Sequence, residues 1–219
     1  MNIEKIAHII GNGKSREKFN LSFLKDKGTV FGCNALYRDY YYKYDLPDYL
    51  VAIDDAIITE IESSYFPAAR VLIPPEEEKW EPVKLHWARS NLDDWNSQRP
   101  RSNAGMNAIF EAIKMKFTEL YIYGFDFLVM NKEFALLNMY EDTECYGLDT
   151  KATMADTRNR MEFFGWTLET YPNITFNVCY PQTIINEGVY QPEINNCKII
   201  SFENLIKSLA RTHPKHMVL

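Results

Sequence analysis

Short apolar runs alternate with amphipathic stretches along the chain. Ile6 to Ile10 is the first run, interrupted by His8 alone and followed by Gly11-Asn12-Gly13. Thr29 to Cys33, Tyr49 to Ile53 and Arg70 to Ile73 form the next three runs. The last of these is closed by Pro74-Pro75. Leu120 to Tyr123, Ile174 to Val178 and Lys198 to Ile200 complete the set. Short apolar runs bounded by Gly, Pro, Asn and Asp read as buried strands. Between them lie stretches with helical spacing. Phe19, Phe23 and Leu24 make one apolar face, and Ala56 to Glu62 reads as a second helix. Met106, Ile109, Phe110, Ile113 and Phe117 fall on one stripe of a helix from Met106 to Lys116. A helix from Ala155 to Thr170 is stopped by Pro172, and another runs from Phe202 to Leu209. Strands that alternate with helices predict an α/β, Rossmann-like fold: a mostly parallel sheet with helices on both faces.

Two segments break the pattern. Glu76 to Arg101 is charged, carries Trp80, Trp87 and Trp95, and has no period, so it reads as an irregular excursion from the sheet. Phe127 to Thr153 shows no strand and reads as a small lid or loop. The expected organisation is one domain over residues 1–219, with 127–153 as the lid insertion.

The length of 219 residues suits that plan, since about 70% of the unfolded surface can be buried at this size. With 46% hydrophobic and 25% charged residues the chain is of ordinary globular composition. A net charge of −6 disfavours duplex nucleic acid as a main partner, because phosphate contacts need clustered Lys and Arg. Cys33, Cys145, Cys179 and Cys197 form no CxxC pair and have no histidine at zinc spacing, so reduced and mostly buried thiols are expected. No apolar run reaches the roughly 18 residues that a membrane span needs, and no signal peptide opens the sequence. The expected compartment is the cytoplasm.

The polar signatures concentrate after the strands. Gly11-Asn12-Gly13, Asn34, Asp54-Asp55 and Gly124-Phe125-Asp126 each follow an apolar run, and Ser102-Asn103-Ala104-Gly105 opens a helix. Ligands of open α/β sheets bind beyond the carboxyl ends of the strands. Gly-Asn-Gly permits close backbone approach to a phosphate, and equally makes an ordinary strand-to-turn corner. It is neither GxGxxG nor a Walker A loop, which argues against hydride transfer and P-loop chemistry. Ser102 and Asn103 serve as an N-cap or, with Arg101 and the Ala104 and Gly105 N–H groups, as a cradle for phosphate or carboxylate. Asp54, Asp55 and Asp126 could bind ribose hydroxyls, hold a metal or cap helices. His8 reads as a core residue, His213 and His216 fall in the tail, and His86 is the one histidine placed for chemistry. Tyr40, Tyr41 and Tyr42 read as packing rather than as a base-stacking platform.

Together, the Ile9–Ser15, Phe31–Tyr37, Arg101–Gly105 and Leu120–Phe127 segments resemble, in order, those of the bacterial lipooligosaccharide sialyltransferases, across roughly residues 5 to 180. The pterin-diphosphokinase-like proteins share a similar strand-end plan. The resemblance implies a modified Rossmann domain with a lid, a cytidine-monophosphate sugar as donor, inversion at the anomeric carbon and no obligatory metal. It implies that Gly11, Asn12 and Gly13 lie near the donor phosphate and sugar, and that Asn34 contacts the donor. It also places Asp54, Arg101, Ser102, Asn103, Ala104, Gly105, Gly124 and Asp126 around the nucleotide.

The departures are chemical. Where the family has two phosphate-stabilising tyrosines this sequence has Leu128 and Phe134. Where the family has its catalytic histidine after Tyr-x-Gly, Leu148 and Asp149 follow Tyr146-Gly147. Loss of a general base alone costs about 10²–10⁴ in rate. The expectation is a glycosyltransferase-like protein that binds a nucleotide-activated sugar, with chemistry altered from sialyl transfer. Asp149, His86 or Glu144 could supply the base, and Tyr140 or Tyr146 could assist the leaving group. The alternatives are a diphosphokinase-type transferase using Mg²⁺ held by Asp54, Asp55 and Asp126, and a nucleotide binder without turnover. The partners expected are a nucleotide sugar and an acceptor; an oligomer is left open.

Overall fold

A computed structural model describes residues 5–40, 47–79, 82, 103–148 and 151–211. Seven strands form one sheet: β1 (Ile6–Ile10), β2 (Thr29–Cys33), β3 (Tyr49–Val51), β4 (Val71–Leu72), β5 (Glu119–Tyr123), β6 (Thr175–Tyr180) and β7 (Cys197–Ser201). Their order is β4-β3-β2-β1-β5-β6-β7, and every pairing is parallel. Parallel sheets are covered on both faces, which is why these strands are near-continuous apolar runs. The strand order reverses between β1 and β5, so the topological switch point lies there.

Alternation along β1 divides the core. Ala7 and Ile9 pack with Met106, Ile109, Phe163 and Phe164, on the face covered by the Ala104–Lys114 and Met154–Thr170 helices. Ile6 and Ile10 pack with Ile57, Ile61, Leu205 and Leu209, on the face covered by the Asp55–Glu62 and Phe202–Arg211 helices. Two layers of helix on one twisted sheet is the Rossmann-like arrangement expected from the alternation.

Several local expectations need correction. Residues 14–24 form no α-helix; two 3₁₀ turns, Lys14–Arg16 and Leu21–Leu24, replace it. Arg16 is drawn inside, where its Nε donates to the Gly11 carbonyl at 2.6 Å. Asn20 then accepts from the Ser22 N–H at 3.1 Å and restarts the turn. Arg70 belongs to a 3₁₀ turn, Ala68–Arg70, that leads into β4. The alternation of apolar runs also omits a short helix at Gln182–Glu187, which Pro181 precedes and Gly188, with φ +123, ends.

The segment 127–148 contains no strand; its regular structure is 3₁₀ turn, at Asp126–Leu128 and Phe134–Leu136. Of the expected excursion, residues 76–79 are helical, while Trp80, Trp87, Trp95 and His86 lie outside the described residues, as do Tyr41 and Tyr42. His8 is a core residue. It is fully buried, accepts from the Tyr123 hydroxyl at 3.0 Å and donates to the Lys27 carbonyl at 3.1 Å. Burial pushes its pKa down to about 4. All four cysteines are free; Cys33, Cys179 and Cys197 are buried and Cys145 is half-buried. Among the described residues, no helix is long and apolar enough to cross a membrane.

Candidate functional site

The parallel sheet brings the polar residues that follow its strands to one edge. Gly11 leaves β1, Asn34 leaves β2, Asp54 lies three residues beyond β3 and Gly124 leaves β5. The Ala104–Lys114 helix, capped by Asn103, packs against β1, β2 and β3.

At the switch point the turns after β1 and β5 are sewn together. The Gly11 N–H donates to the Tyr123 carbonyl at 2.8 Å and the Gly13 N–H to the Gly124 carbonyl at 3.0 Å. A Cβ on Gly13 would stand 2.5 Å from Asp126 Cγ and 2.6 Å from the Gly124 carbonyl oxygen. Gly124 has φ +66, where L residues are disfavoured, and its own Cβ would meet the Gly11 carbonyl oxygen at 2.8 Å. These glycines make room for the chain itself. Asp126 completes the seam: one carboxylate oxygen accepts from the Ser15 N–H at 2.9 Å and the other from the Ser15 hydroxyl. Burial raises the Asp126 pKa to about 6, against the pull of the Ser15 hydrogen bonds and the Arg16 charge.

Behind the seam lies a network that no sequence motif announced. Arg16 is 2% exposed. It donates to the Tyr140 hydroxyl at 2.9 Å and pairs with Asp39 at 3.4 Å, and Tyr140 donates to Asp39 at 2.7 Å. Arg38 grips Glu60 through two nitrogens and reaches the Thr143 hydroxyl at 2.8 Å and the Glu144 carbonyl at 2.9 Å. Burial raises the Glu60 pKa, but the Arg38 and Tyr37 hydrogen bonds outweigh it and the net direction is down. The Met139 N–H donates to the Asn12 carbonyl at 2.8 Å. Segment 138–146 is therefore fastened over the ends of β1 and β2.

Under that segment three polar side chains converge. The Asn12 amide donates to the Tyr146 hydroxyl at 3.1 Å, and the Asn34 amide donates to Asp54 Oδ2 at 3.1 Å. Asn34 holds φ +49, a left-handed conformation that asparagine tolerates better than most residues. The Oδ1 atoms of Asn12 and Asn34 are both buried, and neither has a partner among the described residues. A buried acceptor without a donor costs about 1–3 kcal/mol.

The other candidates fall as follows. Asn103 acts as a cap: its Oδ1 accepts from the Met106 N–H at 3.0 Å. Ala104 is buried, and a Cβ on Gly105 would meet the Phe125 ring at 2.8 Å. Arg101, Ser102 and Asp149 lie outside the described residues. Asp54 is exposed while Asp126 is 4% exposed and turned to Ser15. Among the described residues, no three His, Cys, Asp or Glu side chains are grouped to hold a metal. Leu128 is buried in the core, Phe134 packs beside it and Leu148 is exposed. A cleft of about 460 Å³ is lined by Leu128, Met161, Phe164 and Tyr190, on the flank of the Met154–Thr170 helix, away from Asn12 and Asn34. We take the polar convergence rather than this cleft as the candidate site, because two unmatched acceptors, Asn12 Oδ1 and Asn34 Oδ1, stand together at adjacent strand ends, whereas the charged residues of the cleft, Arg158, Glu162, Glu169 and Glu193, lie on its flank.

No protein-family profile matches the chain, and no characterised protein matches it in sequence. Solved structures do. The chain is similar to the Campylobacter jejuni sialyltransferase CstII in complex with the substrate analogue cytidine-5′-monophosphate, at 17% identity and a TM-score of 0.51, over 91% of this chain and 90% of that one. It is also similar to the monofunctional α-2,3-sialyltransferase Cst-I of Campylobacter jejuni, at 14% identity and a TM-score of 0.50, over 96% of each chain. At these identities the likeness establishes a sialyltransferase-like fold.

Proposed function

We propose that the chain is a glycosyltransferase-like protein that binds a cytidine-nucleotide sugar beyond the carboxyl ends of β1, β2 and β3. On this reading 127–153 is its lid. The observation that carries the proposal is the pair of buried, unmatched Oδ1 atoms of Asn12 and Asn34 at adjacent strand ends. Nucleotide sugars bring hydroxyl and amino donors that such acceptors need. The fold shared with CstII, which was solved with cytidine-5′-monophosphate, supports the choice of base. The chemistry departs from sialyl transfer, because Leu128 and Phe134 carry no hydroxyl for a leaving phosphate. Asp149 and His86 are the candidate bases, with Arg101, Ser102 and Asn103 near the donor.

A second reading, nucleotide binding without turnover, is favoured by Tyr140. Its hydroxyl is committed to Arg16 and Asp39, which leaves Tyr146 as the one hydroxyl of the two candidates near the strand ends. A thermal-shift series with CMP, CMP-sugars, NAD and ATP, with and without Mg²⁺, tests the proposal. A ligand at 100 times its Kd adds about 2.7 kcal/mol of stability. Cytidine compounds are expected to raise Tm most; a shift with adenine dinucleotides alone would remove the proposal.

A further inference from the structure

The phenolic oxygen of Tyr146 sits at the ends of β1 and β2, on the amide of Asn12. The Asn12 amide donates to it at 3.1 Å, and the Asn34 side chain lies beside the same strand end, where it donates to Asp54 at 3.1 Å. A neutral hydroxyl brings two lone pairs and one proton. The tyrosine accepts from Asn12, yet its single proton leaves the Oδ1 atoms of Asn12 and Asn34 unmatched. Turning the Asn12 amide over exchanges an orphaned acceptor for an orphaned donor, so the mismatch persists in either orientation. Burial drives the Tyr146 pKa up to about 12, so the proton stays on the oxygen.

The segment that carries Tyr146 is held by polar contacts to the strand ends and to the residues that follow them. Tyr140 reaches Arg16 and Asp39, Thr143 reaches Arg38, and the Met139 N–H bonds to the carbonyl of Asn12, the same residue whose amide meets Tyr146. A ligand with more than one hydroxyl, such as a nucleotide through its ribose, brings the protons that the tyrosine lacks.

We propose that Tyr146 is an internal plug, whose hydroxyl occupies the seat of a hydroxyl-bearing ligand at the ends of β1 and β2, and that ligand binding displaces segment 138–146 from Asn12. The proposal rests on the nucleotide reading above and adds a self-occupied resting state to it. Because ligand and tyrosine compete, removing the hydroxyl strengthens binding. A direct ligand contact by Tyr146 would do the reverse.

The test is calorimetric titration of CMP into the wild-type protein, Tyr146→Phe and Tyr140→Phe, with hydrogen exchange of the Met139 amide. The Tyr146→Phe variant is expected to bind CMP about fivefold more tightly, the weight of one neutral hydrogen bond. Tyr140→Phe loosens the tether without touching the seat, and it is also expected to bind more tightly, which keeps the idea testable should Tyr146→Phe fail to fold. CMP is expected to speed exchange of the Met139 amide in the wild type. Wild-type binding with equal or weaker binding by the variants, or with slower Met139 exchange, overturns the plug alone. Failure of all three folded proteins to bind CMP overturns both the plug and the nucleotide reading.

Discussion

The amide of Asn34 donates to Asp54 Oδ2 at 3.1 Å, and that one bond ties the end of β2 to the end of β3. It also fixes which way the Asn34 amide faces, because a carboxylate accepts and does not donate. The Asn34 Oδ1 is thereby left without a partner among the described residues. Asn34→Gly is expected to keep the fold within about 1 kcal/mol, since glycine adopts positive φ freely. It is also expected to weaken CMP binding by about tenfold, through the lost amide. Denaturant unfolding and calorimetry measure the two effects; unchanged affinity would take Asn34 out of the site.

Two glycines separate close approach from open space. Gly13→Ala drives a Cβ into Asp126 and the Gly124 carbonyl and is expected to cost about 2 kcal/mol or more. Gly165 lies within the Met154–Thr170 helix with nothing within 4 Å of a Cβ, so Gly165→Ala is expected to add about 0.5–1 kcal/mol. Urea midpoints of the two variants check the pair. A stable Gly13→Ala would mean that the seam between β1 and β5 yields.

Acid response turns on two buried groups with opposite signs. His8 is lowered from 6.5 to about 4, so the unfolded chain binds the extra proton and stability is lost as pH falls through that window. Asp126 is raised from 3.8 to about 6, so the folded chain binds the extra proton and stability is gained as pH falls from about 6 to 3.8. The two windows nearly coincide and offset each other. Asp126→Asn removes the compensating gain, so its stability is expected to drop more steeply than the wild type's between pH 6.5 and 4, by a further ~3 kcal/mol at most. Unfolding curves of both proteins across that range decide it; parallel profiles would contradict the opposition.

Sialyl transfer is expected to be absent or very weak, because Leu128 and Phe134 can neither take a proton nor meet charge on a phosphate. If another sugar is transferred, Asp149→Asn is expected to lower the rate by about 10²–10⁴ while nucleotide binding persists. An unchanged rate removes Asp149 as the base, and robust sialyl transfer by the wild type contradicts the reading of the Leu128 and Phe134 positions.

The strands were legible because a parallel sheet demands unbroken apolar runs, and Ile6–Ile10 or Leu120–Tyr123 admit little else. Asn34 and Asp54 were legible as strand-end residues for the same reason. The turns at 14–24 were not, because what draws Arg16 inward includes Tyr140, 124 residues away. Local spacing carries no trace of such a partner. Gly11-Asn12-Gly13 shows the same limit: Gly13 answers to Asp126 and Gly124, and a phosphate turn and a packing turn are written with the same residues. The Gln182–Glu187 helix is too short for a period to declare itself, and only Pro181 and Gly188 bracket it.

The most direct measurement is a crystal structure of the protein grown with CMP. The account requires the nucleotide at the carboxyl ends of β1 to β3, with ligand atoms within hydrogen-bonding distance of Asn12 Oδ1 and Asn34 Oδ1. Nucleotide bound instead in the cleft lined by Leu128, Met161 and Tyr190, with both asparagine acceptors still unmatched, would contradict it.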